Sequence, residues 1–560
     1  MTDDQPRNFK PLIYCALVIA VVAGAWLARP LYRNWKKQRY LAQAIAHLNQ
    51  SDYKNAALSA RQVRSLDPSN VGAARILAEI SARLRSPEVI AWRQLIADLE
   101  PDNPTNHILL AEAALMFGES ARAEQALVKI APTNRTSPEF HQAAAMVLAG
   151  QHKLAEAEAH FAAAIKLAPT NDLLQLNHAV ILMQARDTNV VAEGIVTLRK
   201  YAAAPAHRRM ALQNLAQAYL HTKDFAQAVI AAKEAAATTN ATFADQMLLL
   251  SVLRATNHPE FQSQLATSQT NAAAAGPEQV QSLASWLLGT GQSEAALRWL
   301  TTLPEELQSQ QRVSMALADL HLARADWPAL QKLTESAKWA EADFLRHAMR
   351  SRACREQRQT TSADSAWLDA VRAAGGNPKM LATLARMAGA WGWTEEQENL
   401  LWTLVERHPG ERWAPVALKA IYMKSADTRG LNRLAAALVT QNPNNLAAKN
   451  DLAGTALLLG IQTSRAHELA REVFTKFPSN EITASTYAYS LLVQGRRDDA
   501  VKAFAGVNRS ALEQPSIALY YGLVLGTNSP ADARKYLDLA AGGNLLPEEK
   551  ALLQIARKKL

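Results

Sequence analysis

Few residues in this chain are spaced as chemistry requires. Gly289-Thr290-Gly291 is the nearest approach to a phosphate-cradling loop, but no Lys-Ser/Thr comes after it, and a Walker loop needs that cation and hydroxyl. His467-Glu468 opens a helical HExx run. Zinc needs a second imidazole one turn on, where Arg471 stands instead. No G-x-S-x-G occurs, and the 13 histidines are scattered without an i, i+4 partner in ligand arrangement. Cys15 and Cys354 are the only cysteines, too few for a disulfide framework or a zinc constellation. The expectation is therefore a protein with no catalytic residues, no metal and no cofactor. The most unusual local feature is aromatic: Trp391, Trp393, Trp402 and Trp413. It reads either as packing between neighbouring helices or as an anchor for a protein partner, where tryptophan is enriched.

The elements that would carry such a surface can be read from length and composition. At 560 residues, one compact core is excluded, because cores stop growing near ~250–300 residues. Aromatics make up only 6% of the chain, and no run alternates with period two, so the class is all-α. The net charge of +9 is local. Residues 29–64 hold eight lysines and arginines against Asp52 alone, which accounts for seven of the nine charges. The remainder is nearly neutral, which argues against nucleic acid as a partner, since backbone binding needs a basic face over the main fold.

That basic stretch comes directly after an uncharged apolar run, Leu12–Leu27. Its length is at the short end of the roughly 17–25 residues a spanning helix needs. Trp26, Arg29, Tyr32, Trp35, Lys36 and Lys37 are of the types that settle at a membrane–water boundary. Two readings stay open. One is an uncleaved anchor over residues 12–28. The other is a signal peptide, with Ala23-Gly24-Ala25 as its cleavage site. Lysines and arginines immediately after the run favour an anchor with the rest of the chain in the cytoplasm. Cleavage would put the chain in the periplasm.

Prolines punctuate the remainder at a near-constant interval. Pro68, Pro101, Pro132, Pro169 and Pro205 are 31 to 37 residues apart, and the interval returns at Pro409, Pro443, Pro478 and Pro515. Pro304 lies 105 residues before Pro409. Each is expected to end a helix. Alanines hold the same phase: Ala56, Ala157, Ala228, Ala466 and Ala500 are separated by 101, 71, 238 and 34 residues. A period in this range is the signature of stacked helix pairs. Small residues such as Ala145 facing Ala157, and Ala216 facing Ala228, let two helices cross at about 8–10 Å. Phe161, Tyr219 and Phe504 would fill the space toward the next pair.

These slots resemble the tetratricopeptide repeat, whose pattern is W-x2-L-G-x2-Y, then A-x3-F, then P, over 34 residues. The resemblance implies a right-handed α-solenoid of about 14 helix-turn-helix units after one N-terminal transmembrane helix. The expected layout is a tail (1–11), the membrane segment (12–28), a basic juxtamembrane segment (29–36), an N-terminal array (37–240), degenerate repeats (241–410), a C-terminal array (411–546) and a capping helix (547–560). Ala272–Pro277 and Ala373–Pro378 interrupt the degenerate stretch. By the family's register, Gln142, Met146, Gln213, Gln217, His221 and Tyr489 face the inner groove. With Trp391 and Trp393, they are the expected partner-binding residues. The layout also resembles a bacterial lipopolysaccharide assembly protein with an N-terminal anchor and cytoplasmic repeats. That family ends in a cysteine-rich metal-binding module, for which this chain lacks the cysteines. The functional expectation is a single-pass inner-membrane scaffold that binds other proteins in envelope assembly. The alternative is an exported periplasmic chaperone or assembly factor for polysaccharide or protein export.

Overall fold

The computed structural model describes residues 32–183, 185 and 187–560, and within them every regular element is a helix. The expected membrane segment, residues 12–28, lies outside the described residues, as do Trp26 and Arg29. Among the described residues, no helix is long and apolar enough to cross a membrane. The first described helix spans 32–49, so Tyr32, Trp35, Lys36 and Lys37 belong to one continuous helix. Lys37 is tied to Asp67 at 3.1 Å, and Arg33 donates to the Leu66 carbonyl at 2.8 Å. The basic stretch thus docks on the end of the next helix, Tyr53–Leu66.

Two local motifs alternate along the chain and set its period. Within a pair, the first helix ends on a left-handed residue. These are Ser51, Arg85, Gly118, His152, Lys223, Asn257, Gly291, Ala325, Arg358, Gly392, Ala426, Gly460 and Gly495, with φ from 48° to 77°. They recur every 33–35 residues, save that His152 to Lys223 spans two periods across the undescribed residues 184 and 186. The next amide reaches back five residues, as in Lys153 N to Leu148 O (2.9 Å), Asp224 N to Tyr219 O (2.8 Å) and Asp427 N to Tyr422 O (2.9 Å). This is the Schellman closure, which satisfies carbonyls the helix end would leave orphaned.

Between pairs, proline sets the turn. Asp67, Glu100, Ala168, His408, Asn442 and Phe477 each precede a proline. All six have φ between −147° and −130°, because the proline ring excludes the helical conformation from its predecessor. Two residues after the proline, Asn70, Asn103, Asn171, Asn445 and Asn480 cap the next helix through their side-chain oxygens. Pro515 departs from expectation: it opens the helix Pro515–Leu525 at its first turn, where a missing N–H costs nothing. The short helix Arg509–Leu512 fills the gap its displacement leaves.

Among the described residues the helices form fifteen such pairs, against about 14 expected, followed by the helix Pro547–Lys559. They divide into two compact units, one ending at Asn271 and one running Ala272–Leu560. The boundary falls beside the predicted interruption at Ala272–Pro277. In the first unit, the anticipated crossings are present. Ala145 and Ala157 are fully buried in one cluster with Phe161, and Ala216 and Ala228 are fully buried in another with Tyr219.

In the second unit the period persists through the stretch read as degenerate, and buried alanines hold the crossings at Ala296 and Ala363, but two other crossings are built differently. Gln397 stands where other pairs have alanine, and Gly389 faces it; a Cβ there would run into the Gln397 amide. A Cβ on Gly430 would lie 2.5 Å from the Tyr422 ring. Large residues are accommodated by removing a methyl from the facing helix. At these two crossings the alanine is replaced while the backbone spacing is kept.

Candidate partner-binding surfaces

The predicted groove residues divide by what their side chains already hold. On the helix Pro138–Gly150, Gln142 is half-buried and Met146 is 37% exposed. On Arg208–His221, Gln213, Gln217 and His221 are four residues apart and share a face. Gln217 and His221 are exposed, whereas Gln213 donates to Asp245 Oδ1 at 2.5 Å on the next first helix. Asp245 is fully buried and also accepts from the Thr242 amide (2.7 Å), the Thr242 hydroxyl (2.8 Å) and Arg209 (3.3 Å). Burial pushes this carboxyl up, but the donors outweigh it, led by the Thr242 amide, and hold it below the ordinary range. Gln213 is thus a strut between neighbouring pairs. His221 lines an open cleft of about 540 Å³ with Thr188, Arg199 and Tyr219.

The tryptophans form a block threaded by arginine. Trp393 packs edge-on against Trp367 (5.4 Å between centroids) and Trp391 (4.8 Å). Arg355 lies 3.8 Å from the Trp393 ring centre and is fixed by Glu396 at 2.6 Å. Arg352 stands within 6 Å of the rings of Trp327, Trp391 and Trp393. Trp402 is buried, donates Nε1–H to the Tyr422 hydroxyl at 2.7 Å and lies under Arg433 at 3.9 Å. Trp393 is likewise buried, Trp391 is half-buried, and Trp413 stays 37% exposed with its N–H given to Glu411. Sequence reasoning missed Trp327, Trp367 and the arginines. Their signal was the spacing of Arg352 and Arg355, one turn apart on the helix Asp343–Glu356.

Tyr489 is buried, not open to solvent, and packs 5.4 Å from the ring of Tyr520. Burial raises both hydroxyls, Tyr520 well above the usual tyrosine range, with Glu549 nearby adding to the effect. Tyr520 donates to Glu549 at 2.6 Å. Glu549 belongs to the C-terminal helix, which therefore covers this part of the first-helix face.

Among the histidines, His467 Nδ1 is 2.7 Å from the Ser490 hydroxyl, and His141 and His160 meet Nδ1 to Nδ1 at 2.9 Å. No group of three or more His, Cys, Asp or Glu among the described residues is arranged to hold a metal ion. Cys354 is buried, and burial raises its thiol.

No protein-family model matches the chain, and no curated protein sequence matches it. Among solved structures it is similar to a tetratricopeptide repeat protein from Parabacteroides merdae, at 14% identity and a TM-score of 0.34, over 39% of this chain and 84% of that one. It is similar to PilW, a type IV pilus biogenesis factor, at 17% identity and a TM-score of 0.26, over 43% of this chain and 93% of that one. It is also similar to a chain of the Cut9–Hcn1 hetero-tetramer of the APC/C, at 12% identity and a TM-score of 0.26, over 83% and 99% of the two chains.

Proposed function

We propose that this chain is a protein-binding scaffold of the tetratricopeptide type, a right-handed solenoid without catalytic residues or cofactor of its own. The observation that supports this most is the recurrence of the left-handed turn from Ser51 to Gly495. It repeats the first helices of successive pairs at a fixed interval, and repeat arrays of this kind offer extended surfaces to partners. Crosslinking in cells, with isolation of the full chain, tests the reading. Partners crosslinked through Met146, Gln217 or His221 are expected, and recovery of the chain alone would sink it.

We further propose that the scaffold is tethered to the bacterial inner membrane by residues 12–28, with its repeats in the cytoplasm, and serves envelope assembly. The charge map supports the tether, since the basic residues gather directly after the apolar run. Ala23-Gly24-Ala25 favours the second reading, export to the periplasm after cleavage. Intact mass of the mature protein and a topology reporter fused after residue 40 separate the two. An uncut N-terminus with a reporter active only inside is the expected result.

A further inference from the structure

The C-terminal helix does more than close the stack. Leu553 is buried against Ala518, Leu519 and Leu537 of the last pair. Arg557 pairs with Asp538, and Arg534 donates to the Leu560 carbonyl at 2.7 Å. Those contacts suit an end cap. Its opening turn, however, reaches far back along the chain. The Thr428 hydroxyl, 120 residues earlier, donates to Glu548. Leu552 packs on the cluster of Leu457, Ala466 and Tyr489, and Glu549 takes the Tyr520 hydroxyl. The helix thus lies over the first helices Leu446–Leu459, Glu481–Val493 and Pro515–Leu525 of three successive pairs.

It is also lightly held. Of residues 547–559, only Leu553 is buried, and Ile555 is 52% exposed. By contrast, Leu446–Leu459 beneath it buries seven side chains. The connection from the last pair, residues 541–546, is anchored by buried Leu545 and Leu546, with Gly543 close against Pro515, so release concerns the helix beyond it. The surface beneath the helix defines what could replace it. Two hydroxyls, Thr428 and Tyr520, point at carboxylates, and the Tyr520 ring sits on an apolar floor where an unpaired donor is costly.

We propose that Pro547–Lys559 is a displaceable resident of a docking groove, and that the groove's second occupant is a partner protein's amphipathic helix. That helix would open on two adjacent carboxylates and present leucines one turn later. The groove is closed at rest, and a partner helix must outcompete one tethered in cis, at a high effective concentration. Helix-in-groove docking through anchors at helical spacing is a known recognition mode. The proposal rests on the scaffold reading, but failure here would leave the exposed faces around Met146 and His221 untouched, whereas failure of the scaffold would remove every partner.

The test uses the full chain and a fluorescein-labelled peptide of residues 545–560. In the double variant Glu549→Ala/Leu552→Asp the resident helix is released, and fluorescence anisotropy is expected to show the peptide binding at least tenfold tighter than to the unmodified chain. A peptide carrying Glu548→Gln and Glu549→Gln is expected to bind the released variant at least tenfold more weakly. A variant with unchanged helical circular dichroism that binds the peptide no better than the unmodified chain would overturn the proposal. Hydrogen exchange on the unmodified chain is a check that needs no variant. Amides of 551–559 are expected to exchange at least tenfold faster than those within Glu481–Val493, and equal protection would overturn it. Light scattering is expected to find the released variant monomeric; a dimer would give the groove to a second copy and overturn the partner assignment.

Discussion

The pairs around Ala157 and those around Gln397 keep the same backbone interval with different packing. In the first, alanine meets alanine, with both side chains fully buried beside Phe161. In the second, Gln397 faces Gly389, Tyr422 faces Gly430, and arginines thread a tryptophan block. Two carboxylates on first helices differ as well. Asp245 is surrounded by donors and kept ionised. Asp319, on Gln311–Ala323, is half-buried, and desolvation alone pushes it up to about 6. The period is thus a property of the turns, and each crossing needs only that the two side chains together occupy a fixed volume.

Breaking Asp245 is expected to have the largest effect. Asp245→Ala strands Arg209 and Gln213 and removes the capping box of the helix Phe243–Ala255, and urea denaturation should register a loss of roughly 3 kcal/mol. Because its folded pKa is depressed, the Asp245 contribution is present above about pH 4 and is lost as the pH falls below that. Next come the crossings. Ala157→Leu has no space to enter and should cost about 2–3 kcal/mol. Gly430→Ala meets the Tyr422 ring, which Trp402 and Glu398 fix, and should cost roughly 1–3 kcal/mol. Gly389→Ala meets only a side-chain amide that can swing away, so about 1 kcal/mol or less is expected. Equal costs at Gly389 and Gly430 would refute compensation by side-chain volume.

Asp319 runs opposite to Asp245. Its folded pKa is raised, so the folded state binds the extra proton between about pH 4 and pH 6, and stability falls as the pH rises through that window. Asp319→Asn should stabilise the chain at pH 7 by on the order of 1–2 kcal/mol and flatten that part of the pH–stability curve. The smallest effect belongs to the turns. Ala426 carries a φ of 54° that an L-residue adopts at a cost. Ala426→Gly should therefore raise the melting temperature slightly, by about 0.5 kcal/mol of stability.

The helix pairs were legible because their signals are local. Proline after Asp67 or Phe477 forces its predecessor out of the helix, and asparagine two residues later caps the next helix. Both effects act within a few residues. The turn inside each pair was less legible. Only five of the thirteen left-handed residues described in these turns are glycine, and the Schellman closure tolerates Lys223 or Arg358 in that place. Of the candidate surface residues, sequence placed Gln217, His221 and Met146 on exposed faces. Gln213 and Tyr489 share their register yet are occupied, one by Asp245 and the other beneath the C-terminal helix.

Sequence by itself determined the element type, the 34-residue interval and the basic start of the array, since each rests on backbone sterics, capping or charge counted along the chain. Tertiary structure alone decided that Gln397 is offset by Gly389, that Asp319 has no donor among the described residues while Asp245 has several, and that the last helix lies across residues as distant as Thr428. Those facts depend on side chains meeting across 8 to 120 residues, and no pattern within a single helix records which volume, hydroxyl or charge will stand opposite.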